Sequence, residues 1–457
     1  MKIEFREPKA TPVGFAQYIE SIFVKYALNT VPLASINGHW NRDAKTSVLE
    51  LDATELTRKL AQIQNFKFGG GSTNLNFTVN DGKYGSLTWQ GLYNGPSYTT
   101  GVGNAQFGSN SIAAVSKLQE LRTDIYASTK PLKSGAEEVP KGSIPQRLKK
   151  VLENLIKNFE EDLNKSTATG LDREILQFQH QKNQKVIDLW FSILQNSEDN
   201  PKLLKETHFA LDQAISDHIA RVYLSDTSNF FDTILQFCND FRLVYVPALS
   251  PQSSAPNGKL LGTSNILDAS PKSKTVNLET FSADVAGFNE PPITGVWVTG
   301  SGNAGIKLPS GLGSQIYGVW PEGSSLSYDG GVRRIAPPPW VPTPQPLNTK
   351  VDSTPKSLLS QPSSRVITIN TTELADISKI NFNIFTEWAR LWYLDLKYAN
   401  EVADIVVPLD LEWEVGKMYN LQNEKGSLMK GLAVDLQHNL STKDGFTSVR
   451  FSHVRYT

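Results

Sequence analysis

The spacing of apolar residues changes along the chain and divides it into stretches of different kind. Over Phe382–Tyr398, Phe385, Trp388, Trp392 and Leu396 recur every three or four residues, the mark of one buried helical face. Strands follow: a β-branched run over Val402–Leu409, a turn opening a second strand at Glu414–Leu421, and a third over Leu428–Leu440. In the third, Leu432, Val434 and Leu436 alternate with Ala433, Asp435 and Gln437, which predicts one dry face and one wet face. Asp444-Gly445 predicts a hairpin turn, and Phe446–Arg455 returns with Val449 and Phe451 on one side.

The other end also reads as strands, over Ala34–Trp40, Ser47–Ala53, Asn74–Asn80 and Tyr84–Tyr93, with a helix predicted over Thr54–Gln64 and another over Ser111–Leu121. Between the two ends the period becomes helical. Leu148, Val151, Leu152, Leu155, Ile156 and Phe159 mark one helix, and Ile175, Phe178, Ile187, Trp190 and Leu194 mark a second. Pro201 opens a third, and Ser228–Phe241 a fourth. A strand at Leu243–Pro247 then leads into a Gly-, Pro- and Ser-rich region. That region has only twelve charged side chains between Val246 and Gln345 but retains Trp297, Trp320 and Trp340, so ordered, loop-dominated β structure is expected there. The fold class that results is multidomain α+β: residues 1–135 and 366–457 as strand-rich β-barrel units, 136–245 as a helical domain or insertion, and 246–365 as β and loop.

Composition narrows the function classes. At 457 residues two to four domains are expected, and no apolar run approaches the ~20 residues of a membrane span. The first residues have no apolar signal core, and a single cysteine, Cys238, permits no internal disulfide, which together fit synthesis in a reducing cytosol. A net charge of −1 argues against a surface that wraps nucleic acid but leaves open a channel through which it passes.

The chemical motifs are weak. The six histidines include no His-Glu-x-x-His, and His208 and His218 are ten residues apart, off a shared helical face, so neither a metal nor any other cofactor is expected. Gly101–Gly108 lacks the Lys-Ser/Thr of a phosphate loop, Gly69–Ser72 reads as a loop tip, and no Gly-x-Ser-x-Gly elbow is present. Asp404, Asp410, Glu412 and Glu414 cluster beside Trp413, where a sugar ring could stack between two carboxylates. Alternation puts these acids on a wet face, so a pore- or solvent-facing acidic row that repels DNA phosphates is the favoured reading. Phe385, Trp388, Trp392 and Trp413 are the candidates for packing the C-terminal helix against its strands.

One resemblance covers most of the chain. The final residues carry Gly431, Val434, His438, Leu440, Ser441, Gly445, Thr447, Phe451, Val454 and Arg455 in the order seen at the end of the central hub proteins of phage baseplates. The run from Phe241-Arg-Leu-Val-Tyr-Val-Pro to Ala336-Pro-Pro-Pro-Trp-Val is similar to the middle of such hubs. The resemblance implies two tube-like β-barrels per chain and a homotrimeric, non-enzymatic baseplate component of the virion. It also implies tail-tube, central-spike and tape-measure partners, with DNA present only in transit. A secretion-system spike shares these barrels. The rival from another class is a carbohydrate-binding or carbohydrate-degrading tail adhesin, suggested by nine Trp and fourteen Tyr.

Overall fold

The computed structural model describes residues 2–6, 21–41, 74–81, 85–98, 107–122, 143–200, 230–248, 254–276, 282–286, 293–301, 315–320, 365–371, 383–397, 399, 401–423, 426–441 and 445–456. From the N-terminus come β1 (Lys2–Arg6), β2 (Ser21–Ala27), β3 (Leu33–Asn41), β4 (Asn74–Asp81), β5 (Gly85–Tyr98) and β6 (Phe107–Ser116), then a 3-10 turn at Lys117–Arg122. Two long helices, α1 (Ile144–Lys165) and α2 (Leu171–Gln195), precede α3 (Phe230–Asp240), which leads into β7 (Leu243–Val246), β8 (Lys259–Gly262) and the short α4 (Thr263–Leu267). Next are β9 (Lys272–Thr275), β10 (Ser282–Ala286), β11 (Ile293–Ser301), β12 (Gln315–Trp320) and β13 (Arg365–Thr371). The chain closes with α5 (Asn383–Leu396), β14 (Val402–Pro408), β15 (Met418–Asn423), β16 (Gly426–Ser441) and β17 (Phe446–Tyr456).

The expected α+β class holds, with one large sheet and few helices. A β-barrel unit was expected at each end. Among the described residues, strands from both ends of the chain are hydrogen-bonded into one 12-stranded sheet in the order β1-β4-β5-β6-β3-β2-β16-β17-β14-β10, with β15 pairing β16 and β9. The join is made by β16. Its first half pairs with β15, its second half, Asp435–Ser441, pairs antiparallel with β2, and β17 runs along its other edge. The handover between partners falls at two adjacent carbonyls: Ala433 O accepts from Gly416 N at 2.8 Å and Val434 O from Leu28 N at 3.0 Å.

Two expectations are corrected by this pairing. Residues 111–116 lie in β6, between β3 and β5, and only Lys117–Arg122 coils, as a 3-10 turn. The Ile112–Val115 run satisfies its backbone in the sheet, so tertiary pairing overrides a local helical pattern. In β16 the register with β17 shifts between Ala433 and Asp435. That bulge separates the alternating residues. Met429, Ala433, Leu436 and Leu440 enter the sheet's main core, while Leu432 packs on the other side with Leu261, Ile266 and Met418, beside Val434. Gly431, Leu432 and Ala433 are therefore buried in succession, which simple alternation does not foresee.

A second core gathers α1, α2, α3 and α5 with β7, β8 and β11. The first turn of α1 is fixed by a capping box between Ser143 and Gln146, and the Asp199 carboxylate accepts Ile144 N at 3.0 Å. Two of the apolar positions read as core in α2 are not: Ile175 is 46% and Phe178 49% exposed, whereas Ile187, Trp190 and Leu194 are buried. The helices expected at 54–64 and from Pro201, and the strand at 47–53, lie outside the described residues.

Candidate functional site: the open face of the joined sheet

Strand alternation sets the chemistry of the sheet's two faces. Ala403, Ile405 and Val407 of β14, Val449 and Phe451 of β17, Leu436, His438 and Leu440 of β16, and Val24 and Tyr26 of β2 all point to the dry side. The intervening residues form the open face, and four charges on successive strands alternate in sign across it. Asp404 faces Arg450 in register, Arg450 faces Asp435, and Asp435 binds Lys25 at 2.9 Å. The Arg450–Asp404 contact is longer, 3.8 Å, and both side chains are about half exposed. Exposed pairs of this kind add roughly 0–1 kcal/mol each to stability. Their larger effect is on the field: the ladder sums to zero, so beyond a Debye length of about 8 Å the face presents little net potential. Val406 and Leu33, 39% and 47% exposed, lie on the same face.

The other three acids of the sequence cluster sit elsewhere, in the connection between β14 and β15. Each meets a lysine of β9: Lys272 binds Glu414 at 2.6 Å, and Lys274 binds Asp410 at 2.7 Å and Glu412 at 3.2 Å. Burial pulls the Lys274 ammonium down, but its hydrogen bonds and attraction to Asp410 and Glu412 outweigh that and hold it above the ordinary lysine range. The ammonium also lies 5.5 Å from the centre of the Trp413 ring. The acids thus form no unbroken row; Asp404 belongs to the sheet ladder and the rest to a lysine-neutralised loop.

That loop is held by the residues of the C-terminal pattern. Thr447 Oγ1 accepts Asp410 N at 3.0 Å and donates to Asp410 O at 3.1 Å, which uses its only proton. His438 Nδ1, 3.0 Å from the same oxygen, must therefore be the donor, and this fixes the neutral tautomer with the proton on Nδ1. Burial pushes the His438 imidazole down to about 4. Gly445 O accepts Leu409 N at 3.1 Å, and a side chain at Gly445 would meet Asn439 O and Leu409 at 3.1 Å. Gly431 is equally close-packed, its missing Cβ lying 3.1 Å from Phe451. The pattern is a clamp on backbone and loop.

The candidate packing residues divide between two cores. Trp413 is buried in the sheet, 4.6 Å from Tyr419 and 6.0 Å from Phe451 between ring centres. Trp388 instead stacks on Phe241 at 5.0 Å, and Trp392 lies under the Arg242 guanidinium at 4.1 Å. Both belong to the helical core, so α5 uses these tryptophans against the helices and not against the strands that follow it. Phe385 lies on α5, with its side chain outside the described set. Sequence reasoning missed Lys25, Asp435, Arg450, Lys272 and Lys274. Alternation would place the first three on a wet face, but not which strands meet there, and Lys25 reaches Asp435 from the other end of the chain.

Among the described residues no group of three or more His, Cys, Asp and Glu is arranged to hold a metal ion, and no helix is long and apolar enough to cross a membrane. No family model matches the sequence, and no curated protein sequence does. Among solved structures the chain is similar to phage tail proteins and to type VI secretion proteins. One is a tail protein from Neisseria meningitidis MC58, at TM-score 0.48 and 9% identity over 99% of this chain and 96% of that one. Another is the 43 kDa tail protein of prophage MuSo2 from Shewanella oneidensis, at 0.46 and 8% over 99% and 98%. A third, an E. coli component of the type VI secretion system, gives 0.40 and 7% over 99% and 76%.

Proposed function

We propose that this chain is a structural component of a phage tail, and specifically a homotrimeric baseplate hub that seats the tail tube on one side and the central spike on the other. The observation that carries the reading is the β2–β16 pairing, which makes one sheet of strands from both ends of the chain, dry on one face and charge-balanced on the other. Three such sheets around an axis would form a conduit with two strand-rich units per copy. Ring closure would cover the edges of β1 and β10, the outermost strands among the described residues, and so guard against aggregation. The C-terminal pattern supports the same reading, since its residues build this sheet. On this reading the alternating ladder lines the lumen and keeps a passing polyanion from sticking, the tape-measure protein fills the lumen before ejection, and assembly occurs in virions from protein made in the host cytoplasm. Burial of Trp89, Trp190, Trp388 and Trp413 weighs against the adhesin reading, because those rings serve as core and not as sugar platforms.

Light scattering of the purified chain tests the assembly: a trimer, and co-purification with a spike protein, are the expected results. A monomer that binds or cleaves glycans would replace this reading with the adhesin. Charge reversal at Asp404, which would give the ladder a net positive charge beside Arg450, is expected to slow genome ejection in phage carrying it.

A further inference from the structure

Besides the hydrogen bonds of Asn29 with Tyr245, the helical core and the sheet meet, among the described residues, at a largely buried polar cluster centred on Asp395. On the helical side Arg242 is 4% exposed and its carbonyl is bolted down by Thr263 N at 2.9 Å, Thr263 Oγ1 at 3.0 Å and Asn200 Nδ2 at 3.2 Å. Its guanidinium pairs with the Asp395 carboxylate at the end of α5 and donates to Asn239 Oδ1 at 3.0 Å. On the sheet side is His453, which with Val454 lies across from Gly431 where the register of β17 with β16 shifts. His453 Nε2 lies 2.6 Å from Asp395 O, one of the carbonyls a helix end leaves without an internal partner. A carbonyl only accepts, so the imidazole carries its proton on Nε2, and Nδ1 accepts from Ser452 Oγ at 2.8 Å. Arg242 and His453 are both held in the left-handed region, at φ 55° and 56°, a strained conformation for side chains of this size. Asp395 thus has one polar group on each core.

We infer that the Arg242–Asp395–His453 cluster is a proton-operated joint: with His453 neutral it locks the helical core to the sheet, and a proton on His453 loosens the lock while both cores stay folded. The charges around the ring decide the direction. Asp395 Oδ1 at 3.8 Å and the helix end favour an imidazolium. Against it stand burial first, then the guanidiniums of Arg455 on β17 and Arg242 across the joint. Lys430 of β16 pairs in register with Arg455, and Glu401 contributes its carbonyl to Val454 N at 3.1 Å. The opposing set wins and pushes His453 down to about 4, so the open joint takes up a proton well before the closed one does.

Hydrogen exchange of the full chain at pH 7 and pH 5, corrected for intrinsic rates, tests this. Opening of segments 390–397 and 450–456 should rise roughly twentyfold on acidification, the ratio expected for a group titrating at 6.5 when open and near 4 when closed. Segments 148–156 and 403–407, inside each core, should change less. His453→Gln should remove the local response. A wild-type response spread evenly over all segments, or none, overturns the inference without needing the variant. A local response that survives unchanged in His453→Gln also overturns it.

Discussion

The helical core and the joined sheet bury similar kinds of residue in different ways. In the helical core the contacts of α1 with α2 come from neighbours in sequence, and α5 arrives from far along the chain to lay Trp388 on Phe241. The sheet mixes near and distant partners: β16 pairs with its sequence neighbours β15 and β17, and also sets Leu436 opposite Tyr26 of β2. Both cores bury polar groups beside their apolar residues: Asn183, Asp199, Asn200 and Arg242 on the helical side, His438 and Thr447 in the sheet. Apolar packing tolerates changes of shape better than a buried polar clamp tolerates losing a partner. In each, the buried polar clamps should therefore respond to single atoms and to pH, and the apolar packing mainly to lost volume.

The largest effect expected is from volume. Trp388→Ala should destabilise by about 3–5 kcal/mol, read as a lowered denaturant midpoint, because the ring is 1% exposed and stacked on Phe241. The acid response comes next, and the sheet contributes to it through His438. His438 titrates at about 4 when folded against 6.5 unfolded, so the unfolded chain binds the extra proton. Stability should be full above pH 6.5 and fall as pH drops towards 4, by an amount on the order of 3 kcal/mol. In the helical core Asp199 works with the opposite sign. Burial raises it from 3.8 to about 6, so lowering the pH through that window favours the folded state there. If acid unfolding monitored by tryptophan fluorescence were equally steep in His438→Gln, the assignment to the clamp would be wrong.

Thr447→Val keeps the volume and deletes three hydrogen bonds, leaving Asp410 N, Asp410 O and His438 Nδ1 without it. A loss of about 1–3 kcal/mol is expected in chemical denaturation. The smallest effect marks the outer half of the helical hairpin. Phe178→Ser, at a site 49% exposed, should change stability by no more than about 0.5 kcal/mol, against several for Trp190→Ala one helix-half away. Equal effects at the two sites would mean that the whole length of α2 is packed.

Much of the fold was legible in the chain. The helical periods over 148–159, 187–194 and 385–396 and the alternation of the last strands mark elements where they occur, because local spacing alone decides which side of a helix or strand is apolar. Ile175 and Phe178 share that spacing but lie on the exposed half of α2, since periodicity reports a face and not what covers it. The four acids near Trp413 were visible as a cluster; their division into a ladder and a loop was not. Arg450 and the lysines of β9 reach them only through strand pairing.

The sequence by itself determined the α+β class, the positions of most described elements and the pattern of residues that clamps β16 to β17. Tertiary structure decided that β2 joins β16, that a bulge turns Leu432 away from Leu436, and that α5 serves the helical core. The physical reason is range. Side-chain periodicity is fixed by backbone geometry within a few residues, whereas strand partners and ion pairs depend on which distant edges meet, and a shift of one residue in register reverses every face.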